Sequence, residues 1–226
     1  MSSITNIGTN TLSAALKDIL PNCDRVDALV GYFYFSGFLD LKEELKDKNI
    51  RILVGMDIDR QIIEKISTFK DANLDLFLTA TQISSRSSAK ENYLSVFSRM
   101  FNDTDYFDDA KSQEAFGVFL KKIQNGTLEI KKTPKANHSK YYILHNKPEL
   151  SANGRTPGVI VTGSSNLTLS GLKGQGENNI LLQETHYYED HFKRFEELWL
   201  DPDNISIVDM HSAEEFIVEV KKRIWL

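Results

Sequence analysis

Val26 to Phe35 reads VDALVGYFYF, and Ile50 to Met56 reads IRILVGM. Both runs are almost unbroken in apolar and aromatic residues and are too short for most helices, which is the pattern of strands buried inside a sheet. Between them, Ser36-Gly37 punctuates the chain and Phe38 to Leu45 has helical spacing, while Asp57-Ile58-Asp59 closes the second run. A strand, a helix and a strand in that order favour a parallel pairing. Upstream, Leu12, Ala15, Leu16 and Leu20 repeat at helical spacing within Thr11 to Leu20, and Pro21-Asn22 ends that helix.

Beyond the second strand the texture changes. Ile62, Ile63, Ile66 and Phe69, then Tyr93, Val96, Phe97 and Met100, then Phe116, Phe119, Leu120 and Ile123 all fall at helical spacing, so residues 60–125 are expected to form a helical insertion. Strands return at Leu128 to Lys132, Lys140 to Leu144, Val159 to Thr162 and Ile180 to Leu182. A short helix is expected around Leu167, Leu169 and Leu172, and an amphipathic one carries Phe192, Phe195, Leu198 and Trp199. A short apolar run, Ile205 to Val208, and a helix from Ser212 follow. This alternation predicts an α/β fold with a mixed, mostly parallel central sheet and helices on both faces. At 226 residues, one domain spanning 1–226 with an insertion accounts for the length.

Composition narrows the classes. With 27 Lys+Arg against 32 Asp+Glu the formal net charge is −5, and 41% of residues are hydrophobic, an ordinary globular balance. Cys23 is the single cysteine, so no internal disulfide or Cys-rich zinc site can form, and a reducing cytoplasm is the expected location. MSSITNIGTN has no positive flank and no apolar core, and no stretch approaches eighteen uninterrupted apolar residues. Neither secretion nor a membrane span is expected. An acidic chain does not coat nucleic acid by bulk charge, so the placement of its cations matters more than their sum.

The chemistry concentrates between His138 and Glu177. Asn137-His138-Ser139-Lys140 is expected to open a strand, which would turn His138 and Lys140 to one face of the pleat. Gly163-Ser164-Ser165-Asn166 falls where a strand turns into a helix, so small residues, hydroxyls and N–H groups gather there as an anion site. A His nucleophile, a Lys charge and Asn and Ser donors are what attack on a phosphodiester needs, because its transition state spreads negative charge over the nonbridging oxygens. Taken singly, His-x-Lys also describes a solvated strand edge, and Gly-Ser-Ser-Asn an ordinary helix start.

Competing constellations are thinner. Asp57-x-Asp59 reads as a strand-end turn, His186, His191 and His211 lack ligand spacing, and no Gly-x-Ser-x-Gly elbow occurs, so neither a metal nor another cofactor is expected. Lys121, Lys122, Lys131, Lys132, Lys135 and Lys140 form a basic run inside the acidic chain. Lys131, Lys132 and Lys135 are its candidate nucleic-acid contacts, with a solvated strand edge as the alternative reading. No basic amphipathic helix speaks for a membrane surface.

In order, His138-x-Lys140, Gly163-Ser164-x-Asn166 and Glu177-Asn178 leading into the strand at Asn179 resemble the phospholipase D superfamily, above all its single-motif bacterial nucleases. Leu29 to Asp59 is similar to the leading strand-helix-strand unit of such nuclease domains, including those attached to helicases. The resemblance implies that His138 attacks phosphorus to give a phosphohistidine. Lys140, Ser164 and Asn166 would hold the nonbridging oxygens, and Glu177 would orient His138. It further implies a metal-independent phosphodiesterase acting on nucleic acid, DNA before RNA, in company with a helicase or restriction component. With one motif per chain, a homodimer would bring two copies of His138 together, one attacking and one donating a proton.

One departure stands out. After four intervening residues beyond Lys140 (Tyr141 to Leu144), where the superfamily has Asp, this chain has His145, expected to be a buried, hydrogen-bonded His at a strand end rather than a catalytic one. The loss of that Asp favours a second reading, a catalytically weak module that binds nucleic acid or mediates dimerisation. Phospholipid hydrolysis stands third.

Overall fold

A computed structural model describes residues 2–56, 110–174 and 176–208. Numbered among these residues, the elements are β1 (Ser2–Ile4), α1 (Leu12–Ile19), β2 (Cys23–Val30), α2 (Phe35–Asp40), α3 (Lys42–Leu45), β3 (Asn49–Val54) and α4 (Ala110–Gln124). They continue as β4 (Leu128–Lys132), β5 (Tyr141–Asn146), α5 (Pro148–Ala152), β6 (Gly158–Gly163), α6 (Leu169–Lys173), β7 (Asn179–Leu182), α7 (Thr185–Trp199) and β8 (Ile205–Val208). Most of the expected insertion, Asp57 and Asp59, and the helix expected from Ser212 lie outside the described residues.

The eight strands form one sheet in the order β1-β7-β6-β5-β2-β3-β4-β8. β2 pairs β3 in parallel, as the strand-helix-strand reading requires, and β3 pairs β4 in parallel. The other five pairings are antiparallel, so the sheet is mixed but not mostly parallel. Parallel neighbours need a crossover, which α2 and α3 supply between β2 and β3, whereas the connections that carry α5 and α6 return the chain beside the strand it has just left, so β5, β6 and β7 alternate in direction.

The aromatic half of VDALVGYFYF does not stay in the strand. β2 ends at Val30, and Phe35 and Phe38 turn inward on α2 to meet Phe119 of α4 edge-on, with ring centroids 5.5 and 5.1 Å apart. Burial of these large rings selects the helix start at Phe35, ahead of the expected Phe38. α1 begins where Thr11 accepts a hydrogen bond from the Ala14 amide at 3.1 Å. One face of the sheet buries α1, α2, α4 and α6 through Leu12, Leu16, Phe38, Phe119 and Leu172. The opposite face buries Leu29, Leu53, Ile143 and Ile160 under Phe195 and Trp199 of α7. Cys23 opens β2, fully buried, with its thiol pushed up to about 11 by burial.

Beneath α7 lies a charged cluster centred on Asp27, a fully buried carboxylate in the middle of β2. Arg25 and Arg51 each bond it in bidentate fashion, with N···O distances of 2.6 to 3.0 Å. His145 Nε2 meets the same carboxylate at 2.8 Å, and Glu196 of α7 bonds both guanidinium groups. Arg51 also stacks over Phe195 and Trp199, 4.9 and 5.0 Å from the ring centroids.

Removing Asp27 leaves the two arginines with Glu196 as their one ion-pair partner among the described residues and takes the partner from His145 Nε2. Asp27→Ala is therefore expected to destabilise the fold by about 3 to 5 kcal/mol, read as a lowered urea midpoint at unchanged slope.

Candidate active site

At the carboxyl ends of β2 and β3 the sheet gives way to two glycines, Gly31 and Gly55. Because β5 and β7 run against their neighbours, their starts reach the same end of the sheet as the finish of β6. The loop holding His138 and Lys140, the Gly163 to Asn166 turn and the Glu177-Asn178 segment therefore meet there.

Gly31 is the floor of this cluster. A Cβ at that position would sit 3.1 Å from Asn166 Oδ1 and 3.6 Å from Lys140 Nζ, so the amide and the ammonium converge over its bare backbone. The Tyr32 amide donates to Asn166 Oδ1 at 2.9 Å and fixes which way that side chain points. Lys140 Nζ donates to the His138 carbonyl at 2.8 Å. The Lys140 carbonyl in turn accepts from the Gly163 amide at 3.2 Å and the Thr162 hydroxyl at 3.1 Å, joining the loop to the end of β6. Ser164 Oγ accepts from the Asn178 amide at 2.9 Å and donates to Glu177 in a short hydrogen bond.

Several expectations change here. His138 and Lys140 precede β5, which starts at Tyr141, so they lie on a loop rather than on one face of a strand. That loop is pinned from the side: Thr133 and Asn137 donate their amides to the carbonyls of Val54 and Gly55. His138 is exposed, and Glu177 takes Ser164 as its hydrogen-bond partner instead of His138. Lys131 belongs to the other face, where its Nζ donates to the Trp199 carbonyl at 3.3 Å and lies 4.4 Å from the centre of the indole. Of the candidate nucleic-acid contacts, it is the one engaged with Trp199. Lys132 ends β4, and Lys135 is exposed in the loop that follows it toward His138.

Lys122 is buried as well, donating to the carbonyls of Lys46 and Lys48, and burial pushes its ammonium down to about 8. His145 is the buried strand-end His that its position suggested, held between Asp27 and the Tyr188 hydroxyl at 2.8 Å each. Among the described residues no group of three or more His, Cys, Asp or Glu side chains is placed to hold a metal ion. The part played by Gly31 and the Tyr32 amide was invisible in the sequence, because backbone groups leave no residue-type signature.

Residues 25–199 match the family profile described as cardiolipin synthase, phospholipase D-like domain. The chain belongs to the phospholipase D-like family. No curated protein matches it. Among solved structures it is similar to Nuc, a phospholipase D family member from Salmonella typhimurium, at 12% identity and a TM-score of 0.40, over 86% of this chain and 91% of that one. It is also similar to phosphatidylserine synthase from Haemophilus influenzae Rd KW20, at 13% identity and a TM-score of 0.48, over 98% of this chain but 44% of that one. A third is TrmBL2, an archaeal chromatin protein, at 9% identity and a TM-score of 0.41, over 88% of this chain and 52% of that one. His145 itself pairs with Arg25 of β2 and meets the carboxylate of Asp27, two residues further along that strand.

Gly55 has no room for a side chain, since a Cβ there would lie 2.0 Å from the Asn137 carbonyl oxygen. Gly55→Ala is expected to push the His138 loop off the sheet, lowering Tm and shifting the His138 ring signals in an NMR spectrum. Gly117→Ala, in a helix position with nothing within 4 Å, should leave those signals in place and raise helix stability by up to about 1 kcal/mol.

Proposed function

We propose that this phospholipase D-like chain is a metal-independent phosphodiesterase acting on nucleic acid, DNA before RNA. The observation that carries the reading is the convergence of Lys140 Nζ and Asn166 Oδ1 over Gly31, beside the loop that presents His138. A phosphodiester seated there would have its nonbridging oxygens facing the Lys140 ammonium and the Asn166 amide N–H, and the Ser164 hydroxyl would turn from Glu177 to join them. An imidazole nitrogen of His138 attacks phosphorus, the P–O bond to the leaving alkoxide breaks, and a phosphohistidine forms. Water then attacks phosphorus and releases the imidazole. Donors held in place before the reaction stabilise the charge that develops on the oxygens.

The alkoxide needs a proton, and one chain brings only one His-x-Lys beside the Gly-Ser-x-Asn turn: in His145-Asn146-Lys147 the imidazole is buried against Asp27, and His191-Phe192-Lys193 lies within α7, where His191 Nδ1 bonds the Tyr187 carbonyl. Two copies related by a two-fold axis through the site would supply the second His138 as that acid. Lys132 and Lys135 lie on the approach to the loop and give local cation supply for a polyanionic backbone. Work beside a helicase or restriction component fits a small nuclease domain of this kind.

A second reading has its own support. Glu177 is engaged with Ser164, so among the described residues no carboxylate bonds His138 to fix its tautomer, and a module so arranged would bind nucleic acid without cutting it.

Plasmid and oligonucleotide cleavage is expected to persist in EDTA and to vanish in His138→Ala. Strict dependence on added magnesium would overturn the mechanism, and binding without cleavage would favour the second reading. Hydrolysis of phosphatidylcholine vesicles with DNA left intact would move the substrate class to lipids. Lys140→Ala and Asn166→Ala should each slow turnover by about 100-fold. The trapped intermediate should be acid-labile, whereas a phosphoserine would transfer the nucleophile to Ser164, since Ser165 is fully buried.

The shared site makes a separate prediction. Specific activity should fall on dilution below the dimer dissociation constant, and excess His138→Ala chains should poison wild-type chains once subunits exchange. Full activity from a monomer at nanomolar concentration would remove the two-fold site.

A further inference from the structure

Ser165 stands in the middle of the Gly163 to Asn166 turn and is the one member that is fully buried among them. Its flanking residues serve the site, Ser164 toward Glu177 and Asn166 toward Tyr32, while Ser165 points back into the protein. All of its polar groups are taken there by side chains. The Ser165 amide donates to Asn179 Oδ1 at 3.3 Å, its hydroxyl accepts from Asn179 Nδ2 at 2.8 Å, and its carbonyl accepts from the Tyr142 hydroxyl at 3.1 Å. Asn179 is 1% exposed and Tyr142 2% exposed. The backbone leaves the turn little slack on the same side, because a Cβ at Gly163 would fall 2.2 Å from the Asn178 carbonyl oxygen.

We infer that Asn179 and Tyr142 are positioning residues for the phosphate-binding turn: they clamp Ser165 from behind and thereby fix where Ser164 and Asn166 present their polar groups. This rests on the phosphodiesterase reading of the site. An apolar residue at either position could fill the same core volume, but only the amide and the phenol hold the turn at three points, and both are sealed from solvent where water cannot substitute for them. Neither touches substrate. Their effect is on geometry, and a displacement of the order of 1 Å at such donors can cost roughly 100-fold in rate. A loss confined to the transition state lowers kcat with KM unchanged.

The test compares Asn179→Ala and Tyr142→Phe with wild type in hydrolysis of bis(p-nitrophenyl) phosphate and in binding of vanadate by calorimetry. The control is Asn204→Ala, which loses hydrogen bonds to the Leu198 and Trp199 carbonyls at the end of α7, away from the turn. Both turn variants are expected to lose roughly 10- to 100-fold in kcat at near-constant KM and to bind vanadate more weakly, while the control keeps both despite a lowered Tm. Tyr142→Phe keeps the ring in the core and decides the matter if Asn179→Ala does not fold. Wild-type kcat and vanadate affinity in the turn variants would overturn the inference, as would an equal loss in Asn204→Ala. If wild type does not hydrolyse the ester, the phosphodiesterase reading fails, and vanadate affinity alone decides whether the clamp sets the turn.

Discussion

A carboxylate with no exposure to water sits near the centre of this sheet, and the layers around it are arranged to make it tolerable. Asp27 on β2 is reached from β3 by Arg51 and from β5 by His145, so the three strands are held in that order by charge as well as by backbone pairing. Both arginines also bond Glu196, which fixes α7 across this face. Burying ions is costly, and a completed cluster recovers that cost only when each member finds its geometry. The arrangement therefore specifies one register of three strands and one helix more than it adds net stability, and that register brings the starts of β5 and β7 level with the ends of β2 and β6.

Much of this was legible in the sequence. The spacing of Leu12, Leu16 and Leu20 marks α1, the run Leu128 to Lys132 coincides with β4, and the order His138, Asn166, Glu177 marks one end of the sheet. These features follow from side-chain periodicity and residue type. What was not legible depends on tertiary contact. The tyrosines and phenylalanines after Val30 look like a continuing strand until Phe119 provides a pocket that α2 fills better. Lys131 looks like a phosphate ligand until its alternate position in β4 turns it toward Trp199. Parallel pairing holds for the first strand-helix-strand unit but not for β5, β6 and β7, which alternate in direction even though helices stand between them.

The candidate site shows the same division. Lys140 and Asn166 were visible as residue types, and the structure brings them together over Gly31. The surface beneath them was not visible, because it is built from the Tyr32 amide, the Lys140 carbonyl and the missing side chains of Gly31 and Gly55. Nor was the bond between Ser164 and Glu177, which joins two residues that the motif order had assigned to separate tasks. In this phospholipase D-like chain, the shape of the candidate site depends on how closely backbones approach one another, a property that spacing alone does not encode.

Cys23 has a different kind of consequence. Its thiol lies in the core at the start of β2, near the Ile19 carbonyl, and is held in its neutral form by burial. Thiol reagents and oxidants act on the thiolate, so they reach this sulfur only when the junction of α1 and β2 has come apart. As the single sulfhydryl of the chain, it behaves as a built-in reporter: its labelling rate measures opening of the core, and a folded population exposed to peroxide or a maleimide keeps its sulfur unmodified.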